Sequence, residues 1–416
     1  MRPDLEAHKT RVPLNADPRY RGSPVMGRLH TAGQRGLVNE GFVMAKELSI
    51  RGSGRPIWPG ECAITSLVMG EERLFGATSG RRAHVFAYWP NPAGEAVLDL
   101  VALEEHTAIR HALAWVPGCG LFAGTSAPGR ADYPGGELLK IAQVPLGDVI
   151  QEWGGGRAKI ESLGRPVDGE GVACMIGDPT RGRLYGLSDR TGTLFSVHAA
   201  SGKIETHGAI DELHRFSPDL ILGPDGFVYG CGTAGRLLRF DPEQKTVVDS
   251  GMSLPCMAGR GQYSAIGAWV LDEKSGLIYA GDVADGLLSV LDVCRGEVRV
   301  LGKPTAQPHI RALAVAPDGR VYGVAGLRDT ICHLFVYTPC MGELRDLGVM
   351  TSATERRWYG YEFDCAAAGP DGRIYFGESD RISHLFVYFP PLLPATGTQA
   401  SQWVAPAKVG PTGSQL

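Results

Sequence analysis

Gly223-Pro224-Asp225-Gly226-Phe227-Val228-Tyr229-Gly230, followed by Leu237-Leu238-Arg239-Phe240-Asp241-Pro242, is the stretch on which the reading of the fold turns. Pro fixes φ and Gly accepts positive φ, so Pro-Asp-Gly presets a tight turn between two strands, and it returns at Pro317-Asp318-Gly319 and Pro370-Asp371-Gly372. The hydrophobic pair after the turn, carrying Phe or Tyr and running into small residues, returns as well. Its copies are Leu74-Phe75-Gly76, Leu121-Phe122-Ala123-Gly124, Leu184-Tyr185-Gly186, Val228-Tyr229-Gly230, Ile278-Tyr279-Ala280-Gly281, Val321-Tyr322-Gly323 and Ile374-Tyr375-Phe376-Gly377. They are roughly 43 to 63 residues apart, the period of a four-stranded blade with variable loops. The sequence therefore predicts an all-β chain folded as a seven-bladed β-propeller.

Within each copy, the Pro-Asp-Gly turn joins the first strand to the second. Apolar third strands follow, clearest at His84-Val85-Phe86-Ala87-Tyr88, His333-Leu334-Phe335-Val336-Tyr337 and His384-Leu385-Phe386-Val387-Tyr388. The small residues after the aromatic pair suit places where backbones approach closely. The final copy, ending near Pro390, lacks a fourth strand. Phe42 to Leu48, ahead of the first copy, has no local partner, so this N-terminal strand is expected to close the ring and remove an open edge. The expected division is an N-terminal arm over 1–37, the propeller over 38–390 and a C-terminal tail over 391–416, the two ends being rich in Pro, Gly, Ser and Thr.

Composition fits this picture. The chain has 416 residues, 57 of them Gly, with 44% hydrophobic and 21% charged, which suits a large core joined by many turns. The N-terminus has no apolar stretch of a signal peptide and no run approaches a membrane span, so a soluble cytoplasmic protein without a membrane partner is expected. A net charge of −4 argues against a nucleic-acid partner. The 9 cysteines are scattered singly and read as small buried residues. Only Cys332 beside His333 suggests a metal, as a structural ion.

The loops between blades, and those between second and third strands, share one face of a propeller around its central channel. Here the inter-blade loops bring Arg55 with Trp58, His106 with Arg110 and His111, Arg165, His214 with Arg215, Arg260 with Tyr263, His309 with Arg311, and Arg356-Arg357-Trp358-Tyr359 with Tyr361. The second-to-third-strand loops add Arg81, Arg82, Arg130, Tyr133, Arg190, Arg236, Arg328 and Arg381. Several of these have an acid beside them, and an ordinary solvated surface would also be rich in Arg. One at every junction of an acidic protein points further, to a ligand with carboxylates and sugar rings, since Arg grips a carboxylate in a fork and aromatic faces stack on pyranose rings. The candidate substrate-binding residues are Arg81, His106, Arg110, His214, Arg215, His309, Arg311, Arg357, Trp358, Tyr359 and Tyr361, for an acidic oligosaccharide or polysaccharide. His84, His333 and His384 open three third strands at the same position, which a shared structural hydrogen bond would produce. His84 differs in following the cationic loop Gly80-Arg81-Arg82-Ala83.

With its histidines at 84 and 106 to 111 and the returning His-Leu-Phe-Val-Tyr strands, the chain resembles the seven-bladed propeller polysaccharide lyases, among them ulvan lyases and rhamnose-glucuronate lyases. The resemblance spans roughly residues 40 to 390. It implies cleavage of a uronate-containing glycan by β-elimination with a His base, a Tyr or second His as proton donor, and an Arg that neutralises the uronate carboxylate. Carried onto this chain, it implies His84 or His111 as base, Tyr133 or Tyr263 as donor, and Arg165 as neutraliser. The chemistry is coherent without the resemblance: the C5 proton becomes labile once its carboxylate is neutralised, and no cofactor is required. Two other readings stand beside it, a noncatalytic glycan- or protein-binding propeller and a metal-dependent lactonase or hydrolase.

Overall fold

A computed structural model describes residues 38, 40–48, 57–71, 73–89, 96–128, 132–142, 158–327, 330–353, 358–380 and 382–392. These residues form seven antiparallel four-stranded sheets. Six are built from consecutive strands, the first blade from Ala63–Met69, Leu74–Ser79, Ala83–Trp89 and Ala96–Leu103. The seventh combines Phe363–Ala368, Ile374–Glu378 and His384–Phe389 with Phe42–Glu47, which pairs antiparallel with His384–Phe389 from Phe42 opposite Phe389 to Glu47 opposite His384. First strands of neighbouring blades touch in an unbroken circuit, including the seventh against the first. The chain is a seven-bladed β-propeller, closed by its N-terminal strand.

The repeat works as inter-blade glue. Tyr279 meets Tyr337 of the next blade with ring centroids 5.8 Å apart, Tyr322 meets Tyr388 at 5.3 Å, and Tyr375 meets Tyr88 across the closure at 5.6 Å. Edge and tilted contacts of this kind add about 0.5–1.5 kcal/mol each to the burial of the rings. The small residue beside the aromatic leaves room for the third strand: a Cβ at Gly76 would lie 2.1 Å from the Phe86 ring. All three Pro-Asp-Gly turns join first to second strands, on the side of the sheets opposite the inter-blade loops. Among the described residues no helix is long and apolar enough to cross a membrane.

Candidate functional site

A recurring irregularity aims side chains into the channel. In five blades the first strand bulges near its start, leaving Thr65, Ala173, Gly267, Arg311 and Asp364 outside the regular ladder. A bulge re-aims its extra residue. Each of the five lies three positions before the residue paired with the repeat aromatic, as Arg311 precedes Ala314 opposite Tyr322, and His111 holds the same place in the second blade, where Ala114 pairs with Phe122. At Gly267 a Cβ would meet the Ile310 carbonyl oxygen at 2.2 Å, so only glycine fits. Thr65, His111, Ala173, Arg311 and Asp364 all line one cavity of about 1240 Å³ on the face of the inter-blade loops.

Arg110, Tyr133, Asp189, Arg190, His214, Arg215 and Glu362 line the same cavity. Four arginines thus face three carboxylates there. Arg311 is bonded to Asp364 at 3.1 Å and Arg190 to the Gly169 carbonyl, while Asp189 accepts from the Gly171 amide at 2.9 Å. Arg110 and Arg215 have no partner among the described residues and are exposed. Two histidines hold the left-handed backbone that side chains rarely adopt, His111 at φ 45° and His214 at φ 52°. His111 is clamped there, its amide bonded to the Thr65 carbonyl at 3.0 Å and its carbonyl to the Met175 amide at 2.9 Å. His214 Nδ1 is 2.8 Å from the Thr191 carbonyl oxygen, which can only accept, so Nδ1 carries the proton and Nε2 is left as the basic nitrogen. Burial pushes the Asp219 carboxyl up to about 6, against the opposing influence of His111 nearby.

Of the residues singled out by sequence, Arg110, His111, Tyr133, His214, Arg215 and Arg311 come together at this cavity. His106 stands behind it, with Nδ1 3.0 Å from the Tyr133 hydroxyl. Arg165 does not line the cavity: it is bonded to Glu137 at 2.9 Å, close enough to Tyr133 to influence it. His84 is turned into the first blade, its Nδ1 3.1 Å from Asp99 and its Nε2 3.2 Å from Glu61. Arg81 lies 3.5 Å from the same Glu61 and is largely exposed. Tyr263 is exposed at the rim under Arg260, whose guanidinium is 5.4 Å from its ring and bonded to Asp285. His309 also misses the lining, and burial together with Arg311 holds its imidazole below the usual value. Trp358 packs on His384 at 4.3 Å, Tyr359 bridges to Thr351, and the Tyr361 amide donates to Glu378 at 3.2 Å. Arg55, Arg130, Arg328, Arg356, Arg357 and Arg381 lie outside the described residues.

The metal suggestion at Cys332 and His333 meets a geometric obstacle. Cys332 just precedes the strand that His333 opens, and the two side chains are already engaged elsewhere: the Cys332 thiol donates to the Tyr361 carbonyl at 2.9 Å while His333 Nδ1 is 3.0 Å from Asp346. No group of three or more metal-ligating side chains gathers among the described residues. Sequence reading missed the acids of the cavity, Asp189, Glu362 and Asp364, and Asp219 beside His111. For Asp364 the signal is the bulge position, visible only once the strand register is known.

No family model matches the chain, and no curated protein matches it in sequence. Among solved structures it is similar to the WD40 β-propeller domain of Doa1, with a TM-score of 0.53 and 10% identity over 83% of this chain and 97% of that one. It is also similar to a chain of the Mitotic Checkpoint Complex, with a TM-score of 0.55 and 14% identity over 85% of this chain and 92% of that one. At such identities these likenesses speak to the propeller fold alone.

Proposed function

We propose that the cavity binds an acidic oligosaccharide and cleaves it by β-elimination at a uronate. The observation that carries this is the gathering, in one open cavity, of two arginines without a partner among the described residues, two histidines and a tyrosine: Arg110 and Arg215 beside His111, His214 and Tyr133. Arg110 or Arg215 neutralises the uronate carboxylate and stabilises the enolate-like transition state. His214, with Nε2 basic, or His111 takes the C5 proton, and the C4–O bond breaks as Tyr133 gives its proton to the leaving oxygen. Arg165, already neutralised by Glu137, acts on Tyr133 rather than on the substrate.

The experiment is a screen of uronate-containing polysaccharides for the ultraviolet absorbance of an unsaturated product. Appearance of that product, and its loss in Arg215→Ala, is the expected result. A different outcome, binding without product, favours the noncatalytic reading. That reading draws on the exposed apolar side chains of the same face, Trp58, Leu213 and Tyr263, each more than half exposed.

A further inference from the structure

Tyr133 and His106 form a pair fixed from both sides. Their rings meet edge to face with centroids 6.0 Å apart, and Nδ1 of the buried His106 lies 3.0 Å from the Tyr133 hydroxyl, which opens on the cavity. The His106 carbonyl accepts from the Ala83 amide at 2.9 Å, and the next residue joins two blades, the Thr107 carbonyl bonding to Gly80 at 2.9 Å and its amide to Ser126 at 3.1 Å. The Tyr133 loop is tied to the third blade, with the Pro134 carbonyl bonded to the Gly169 amide at 3.0 Å and the Gly136 amide to the Glu170 carbonyl at 2.7 Å. The backbone beneath both partners is thus held by inter-blade connections.

The chemistry of such a pair is binary. A phenol has one proton, and an imidazole Nδ1 either carries one or accepts one. Where Nδ1 is bare, Tyr133 donates to it and only a phenol lone pair is left for the cavity. Where Nδ1 carries a proton, His106 donates and the phenol proton is released from it, to turn toward the cavity or toward the neighbouring Thr125 hydroxyl. We propose that His106 is a positioning residue that decides whether Tyr133 meets the bound ligand as a hydrogen-bond donor or as an acceptor. Burial raises the Tyr133 phenol above its usual value, with a hydrogen bond from Thr125 and the charge of Arg165 opposing and Asp189 and Glu137 adding to it, so the hydroxyl stays protonated near neutrality and its direction is what remains to be set.

The catalytic consequence rests on the elimination reading. As Tyr133 protonates the leaving oxygen, its O–H bond breaks; the phenolate then takes the Nδ1 proton of the His106 imidazolium along their hydrogen bond, and the neutral imidazole left behind is reprotonated from solvent, to which the base returns the C5 proton. His106 therefore matters to kcat rather than to KM.

The test uses the full chain carrying fluorotyrosine, with the Tyr133 fluorine resonance assigned by its loss in Tyr133→Phe. That resonance should shift with pH as His106 Nδ1 gains or loses its proton, and the shift should vanish in His106→Asn, which keeps a polar side chain but does not titrate. A Tyr133 resonance that is flat in the wild type, or that titrates identically in His106→Asn, overturns the inference. If His106→Asn does not fold, Tyr133→Phe supplies the reciprocal reading: the His106 imidazole titration should move, and an unchanged one overturns the inference. With a uronate polymer that yields product, His106→Asn should lower kcat about 10²-fold, at the lower end of general acid catalysis, with KM unchanged. No product from any uronate, with the fluorine coupling intact, would sink the elimination reading and leave the role of His106 standing.

Discussion

His84 and His214 both stand beside arginines near the same face of the propeller, yet the chain uses them in opposite ways. His84 is 2% exposed on a regular strand, held between Asp99 and Glu61, with Arg82 on the far side of Glu61 at 3.0 Å. His214 is exposed on a left-handed backbone, with one nitrogen tied to a carbonyl and the other open. The cationic loop before His84 does not make it a cavity residue, because Arg82 and His84 share one buried carboxylate. What separates a structural histidine from an available one is the set of acids within reach, and for His84 these come from residues 15 and 23 positions away in the chain.

The largest effect should come from breaking the buried cluster. Replacing His84 with Ala leaves Glu61 and Asp99 without their shared cation in the blade interior, and removing one member of a buried pair costs about 3–5 kcal/mol. Urea unfolding should report that loss. A His84→Ala protein that unfolds like the wild type would place His84 on the functional side of the comparison.

His214→Ala should do the reverse. Its exposed side chain adds little packing, so melting should barely move, while product formation falls about 10²- to 10⁴-fold if Nε2 takes the C5 proton. His111→Ala separates the two candidate bases, since only the base should show this loss. Wild-type kcat in both variants would leave neither histidine as the base.

pH sharpens the contrast for His84. Burial lowers its tendency to hold a proton, but hydrogen bonds and charge from Asp99 and then Glu61 outweigh this and raise it above 6.5. For Glu61, burial acts upward and is outweighed by Arg82 and His84, so it is held below 4.5. A raised histidine contributes stability that is complete below its unfolded value and is lost as pH rises through its folded value; a depressed carboxylate contributes above its unfolded value and loses it as pH falls. The melting difference between wild type and His84→Ala should therefore be widest between about pH 4.5 and 6.5 and narrow on both sides. A difference that grows with alkali would contradict the assignment of the cluster as an ion pair.

The fold was legible because a buried aromatic recurs once per blade and each recurrence is local: Tyr229 and its Pro-Asp-Gly turn lie within a few residues. Closure by Phe42–Glu47 was legible for the complementary reason, a strand without a partner and a blade without an edge. The cavity was legible only in part. Of its cations, Arg311 sits at the start of a first strand, while Arg110 and Arg215 fall in loops whose face follows from the blade topology. Its acids do not: Asp364 reaches the channel because of a bulge between Phe363 and Cys365, a register feature that no local pattern announces. The inward turn of His84 depended on Asp99, opposite Phe86 on the outer strand. Pairing partners on other strands, rather than neighbours in the chain, decide these side-chain fates.

The smallest effect belongs to His333, the third-strand histidine whose partner is the counterpart of Asp99. Asp346 lies opposite Phe335 as Asp99 lies opposite Phe86, and His333 Nδ1 is 3.0 Å from it, so the latch between third and outer strand is the same in the first and sixth blades. The surroundings are not. The His333 and Asp346 side chains are 28% and 36% exposed against 3% and 7% for His84 and Asp99, and no counterpart of Glu61 is bonded to His333 among the described residues. An exposed ion pair is worth about 0–1 kcal/mol and weakens with salt. His333→Ala should thus lose no more than about 1 kcal/mol in urea unfolding, less still at high salt, with product formation unchanged. A loss as large as that of His84→Ala would mean that the hydrogen bond to the outer strand, and not the burial of the charges, is what makes the first-blade histidine structural.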